Sequence, residues 1–188
     1  MKDFLFFYSK EDFEVQQKAH RTFKFLYGNN IEIIDKHGQY WIMSGIGDTD
    51  NPSIDRLSDK RSNEYNSTFI IGKPIVNNVT NSTGNLFDLL LNDKVKEIDG
   101  DFCFVNHDLE QDKIKIVSSK LGLYPCYYYF KDNTCVISSR LLFIKELIPH
   151  LELDNACIAQ FCLYNYIITD RTFYKDVYTV PSASIINI

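Results

Sequence analysis

Between Phe102 and Ile137 the sequence twice repeats one pattern: an extended run, a short polar turn and a second extended run. Phe102 to Asn106 is matched to Lys113 to Val117 across Asp108 to Asp112, with Ile114 and Ile116 alternating against Lys113 and Lys115. Tyr127 to Phe130 is matched to Cys135 to Ile137 across Lys131-Asp132-Asn133. Links this short can only join antiparallel strands, because a parallel pair needs a crossover of a dozen or more residues. A fold in which helices alternate with a purely parallel sheet is therefore excluded, and an α+β layered domain is expected.

The flanking segments fit that expectation. Phe4, Phe6 and Tyr8 recur at period two, which predicts a strand. Ser9 and Asp12 then have capping-box spacing, and Ala19, Thr22, Phe23 and Leu26 form one helical face that Gly28 ends. Ile31 to Ile34 and Tyr40 to Met43 read as strands around Lys36-His37-Gly38, and the polar stretch from Gly47 to Thr68 reads as a loop. Phe69-Ile70-Ile71 returns as a strand, and Leu86 to Leu91 reads as a short buried helix behind the turn Ser82-Thr83-Gly84. A helix from about Arg140 stops before Pro149. Asp154 caps another helix, with Leu153 and Ile158 at staple positions and Ile158, Phe161 and Cys162 on its inner face.

Composition narrows the function. A chain of 188 residues is one domain, 1–188, rather than two full enzymatic ones. Its formal charge of −5 gives no electrostatic reason to expect nucleic acid or an anionic membrane surface as a partner. No apolar run reaches the 18 or so residues of a membrane span. Five cysteines without a C-x-x-C pair indicate neither a disulfide framework nor a zinc ribbon, and they suit a reducing cytoplasm.

Metal and nucleotide chemistry finds no support. There is no P-loop, and Gly45-Ile46-Gly47 is only a fragment of a dinucleotide fingerprint. Asp48 to Pro52 begins like a calcium loop, but Pro52 stands at a ligand position. His20, His37, His107 and His150 are scattered and read as surface residues, so no metal is expected. Cys103, Cys135, Cys157 and Cys162 read as small buried hydrophobes, and Cys126 lies near a loop with no base beside it. The run Tyr124 to Phe130 lacks interleaved Lys and Arg, so it reads as strand and core rather than as a base-stacking platform.

The second half carries a resemblance. Ile98-Asp99-Gly100-Asp101-Phe102-Cys103-Phe104 is similar to a Leu-x-Gly-x-Phe-Ala-Phe strand, and Ile114 to Tyr128 is similar to a Leu-x-x-x-Arg-Asp-x-x-Gly-x-x-Pro-Leu-Tyr-Tyr run. Ile137-Ser138-Ser139 with Leu141, then Leu153-Asp154, Tyr164-Asn165-Tyr166, Arg171 to Val177 and Pro181 follow in the same order. These residues resemble the N-terminal glutaminase-type domain of the asparagine synthetase family, the class II glutamine amidotransferases. The resemblance implies an N-terminal-nucleophile (Ntn) hydrolase-like fold, a four-layer αββα sandwich with two antiparallel sheets.

The departures from that family bear on activity. Active members carry cysteine after the initiator Met, where this chain has Lys2. The Asn-Gly that forms the oxyanion site aligns with Ile71-Gly72, and the segment holding the substrate α-amine aligns with Ser82 to Asn85. The carboxylate-pairing Arg has no counterpart between Tyr40 and Asp50. The resemblance thus implies no catalytic residue and a remnant pocket around Gly72, Lys73 and Asn85. The domain would serve an ATP-dependent amide- or lactam-forming synthetase, in cis beyond Ile188 or on another chain. That synthetase, and not this domain, would use ATP and magnesium. A homodimer is left open. Two other functions stand beside this one: a hydrolase processed to Ser9 or Thr22 as nucleophile, and a free-standing binder of a small ligand.

Overall fold

The computed structural model describes residues 3–9, 13–28, 31–35, 40–45, 66–76, 79–80 and 83–188. The chain forms two compact units, one of residues 2–49 and 125–179, the other of residues 50–124 and 180–188.

The first unit is built on β1 (Asp3–Ser9), β2 (Ile31–Asp35), β3 (Tyr40–Gly45), β8 (Tyr127–Lys131), β9 (Thr134–Ser138) and β10 (Val177–Thr179). Among the described residues these form one antiparallel sheet in the order β10-β8-β9-β1-β3-β2. β1 is central, with Phe6 opposite Ile42 on one side and Ile137 on the other. The strand read from Phe4, Phe6 and Tyr8 forms as β1, and both of its faces are covered. Leu5 and Phe7 pack with Phe23, Phe143 and Ile144, yet Phe4, Phe6 and Tyr8 on the opposite face are buried as well. A strand buried on both faces gains nothing from a polar face, which is why its sequence is a near-continuous apolar run.

Helix α1 (Phe13–Tyr27) lies on this sheet through Ala19 and Phe23, with Tyr27 packed beside them. Phe23 stacks on Phe143 of α3 (Leu141–Leu147), centroids 4.2 Å apart. Leu26, expected on the inner face, is more than a third exposed, because the buried stripe runs 19, 23, 27 and places Leu26 beside it. Gly28 ends the helix at φ +62°, its N–H donating to the Lys24 carbonyl. Of the expected capping box, Asp12 lies outside the described residues, and Ser9 is the last residue of β1.

The second unit contains β4 (Asn66–Val76), β5 (Val79–Thr80), α2 (Thr83–Leu91), β6 (Ile98–Asp108), β7 (Lys113–Ser118) and β11 (Ile185–Asn187). Its strands form an antiparallel sheet in the order β11-β7-β6-β4-β5. Leu86, Leu89 and Leu90 of α2 pack against Ile70, Phe102, Phe104 and Val117. Two sequence expectations shift: β4 begins at Asn66, inside the expected loop, and Thr83 and Gly84 belong to α2 rather than to a turn. The rest of the expected loop, 47–65, lies outside the described residues. β4 and β6 run together for eleven pairs, from Asn66↔Asp108 to Val76↔Ile98.

Both hairpins form as expected, with Val105 opposite Ile116 and Tyr129 opposite Val136. Asp132 and Asn133 at the second turn have φ of 50° and 57°, the positive values of a primed turn whose twist matches its strands. After α3, Asp154 caps α4 (Asn155–Tyr164), its Oδ1 accepting from the N–H groups of Ala156 and Cys157 at 3.1 and 3.2 Å. The two antiparallel sheets with their helices are the α+β architecture read from the sequence.

Candidate functional site

The first strand opens on a buried charged group. Asp3 is only 6% exposed. Its carboxylate accepts from Arg140 Nε at 2.6 Å, from Ser139 Oγ at 3.0 Å and from the Tyr27 hydroxyl. Ser139 Oγ in turn accepts the Phe4 N–H at 3.0 Å, and Ser138 Oγ donates to the Phe4 carbonyl at 2.8 Å. A carboxylate taken out of water needs such partners, since an unpaired buried charge costs several kcal/mol. Burial first, then the bond to Asp3, pushes the Tyr27 phenol well above its ordinary range. The phenol therefore stays a hydrogen-bond donor at neutral pH. The cluster ties the start of β1 to the end of α1 and to the β9–α3 junction.

Sequence reading missed this cluster, whose members lie far apart in the chain. The available signal was Asp3 itself, a charge at the head of an otherwise apolar strand. Lys2, the residue before it, lies outside the described residues.

In the other unit, Ile71 and Gly72 sit within β4, opposite Cys103 and Phe102. The Ile71 side chain is buried. Gly72 has φ +112°, and a Cβ there would meet the Asp101 carbonyl oxygen at 2.2 Å. Gly100 mirrors it at φ +89°, where a Cβ would meet the Lys73 carbonyl at 2.1 Å. The two strands approach so closely here that neither position accepts a side chain. Lys73 follows on the same strand, exposed, and Asn85 lies in the first turn of α2. Beside them, Ser119 Oγ donates to Asp101 Oδ1 at 2.9 Å, and Lys120 pairs with Asp99 at 2.5 Å.

The cysteines divide. Cys103, Cys126, Cys135 and Cys157 are buried and in no disulfide, but Cys162 is exposed, contrary to its sequence reading. Burial pushes the Cys135 thiol far above its usual range, and burial followed by a bond to Asp154 raises that of Cys157. Raised thiols are poor nucleophiles. Phe161, expected on the inner face of α4, is also exposed; only Cys157 of that helix is buried.

His107 departs from the surface reading. It is fully buried in β6, with Nε2 3.4 Å from Asp112 Oδ1, because both faces of that strand are covered. His20 and His150 are exposed, and His37 lies outside the described residues. Among the described residues no group of His, Cys, Asp and Glu could hold a metal ion. The Asp48 to Pro52 segment is not among them. Among the described residues, no helix is long and apolar enough to cross a membrane.

A family model for the glutamine amidotransferase domain matches residues 85–188, more than half of the chain. The chain belongs to that family. No curated protein sequence matches it. Among solved structures, the chain is similar to the glutamine phosphoribosylpyrophosphate amidotransferase from B. subtilis complexed with ADP and GMP, at 10% identity and a TM-score of 0.48. That similarity covers 78% of this chain and 43% of the other, so the chain spans less than half the length of that enzyme.

Proposed function

We propose that the chain is a non-hydrolysing glutamine amidotransferase domain serving an asparagine-synthetase-like, ATP-dependent amide- or lactam-forming enzyme. The observation that carries this reading is Ile71. By the motif resemblance it stands where the family places an amide donor for the oxyanion, and its side chain is apolar and buried in the β4 ladder. Loss of one such donor removes about 3 kcal/mol of transition-state stabilisation. Lys2 in place of the nucleophilic cysteine supports the same conclusion from the sequence. A lysine offers no thiolate, and the described cysteines lie at position 103 and beyond.

In this role the domain packs against a synthetase domain, in cis or on another chain, and shapes its substrate entrance. ATP and magnesium belong to that partner. Any ligand kept by the domain would meet Gly72, Lys73 and Asn85. The purified chain should release no ammonia from glutamine above background; steady turnover would overturn the proposal. A reading frame that stops after Ile188, with no neighbouring gene encoding a Ser-Gly-Gly-x-Asp-Ser pyrophosphate loop, would remove the synthetase partner.

The alternative of a processed Ser or Thr nucleophile is disfavoured by the placement of both candidates. Ser9 closes β1 and accepts from Thr134 Oγ1 at 3.3 Å, and Thr22 Oγ1 donates to the Lys18 carbonyl within α1. Freeing either as an N-terminus would cut away β1 or half of α1. Intact-mass measurement distinguishes the two readings, since a hydrolase of this kind must lose all residues before its nucleophile.

A further inference from the structure

We draw no further inference here: the strongest candidate, the exposed apolar patch on the C-terminal half of α4 and the loop after it, carries nothing because nothing in the structure shows what covers it.

Discussion

Helices α1 and α4 belong to the same unit and are held in opposite ways. α1 is fastened along its length, through a stripe of Ala19, Phe23 and Tyr27 against the sheet and α3. α4 buries only Cys157 and is fastened at its ends, by Asp154 at the start and by Asn165 at the finish. Hydrophobic contact secures the first helix, and directed polar bonds secure the second while leaving its apolar side chains facing solvent. The difference shows that apolar content does not settle where a helix is buried; what matters is whether its apolar residues share a face with a neighbour to meet.

The contrast can be broken at α1 first. Phe23→Ala removes a fully buried ring stacked on Phe143 and should cost about 4 kcal/mol, read as a lower denaturant midpoint. Tyr27→Phe keeps the ring but withdraws the hydroxyl from the buried Asp3 carboxylate, and should cost about 2 kcal/mol by the same measurement.

At α4 the effect is local. Asp154→Ala removes both the helix cap and the Arg171 partner, and should raise hydrogen exchange in residues 165–173 with a smaller change in the global midpoint. Asp154→Asn, which still accepts from Ala156 and Cys157, should raise it less. Burial acts to raise the Asp154 carboxyl, but the bonds from Cys157 and Arg171 outweigh it and hold the group below its ordinary range. Its contribution is therefore complete above the unfolded value of about 3.9 and is lost as pH falls through the lower folded value, so exchange in 165–173 should rise at acid pH. Least affected is Leu163→Ser, which should shift stability by less than about 0.5 kcal/mol, since the side chain is 75% exposed.

The strongest sequence signals were local ones. The hairpins at Phe102–Val117 and Tyr127–Ile137 and the Asp154 cap formed as read, because alternation, turn residues and caps act over a few residues. Three features were not legible. The three period-two positions of β1 did not reveal that its other face is buried as well. Helical phase alone did not choose between Leu26 and Tyr27. The Asp3 cluster joins residues 24 to 137 positions apart, which no spacing rule connects. Around the expected remnant pocket of Gly72, Lys73 and Asn85, only the backbone showed that Gly72 and Gly100 meet across the ladder.

The pairing of β1 with β9 also sets a timetable. The Ser138 hydroxyl that holds the Phe4 carbonyl lies 134 residues downstream. At ribosomal rates of roughly 5–20 residues per second, β9 emerges on the order of ten seconds after β1. Through that interval Phe4, Leu5, Phe6 and Phe7 have no second strand to pair with on the β9 side. The nascent chain thus carries the apolar β1 segment well before the strand that shelters its β9 side, which makes synthesis a stage of exposure to aggregation.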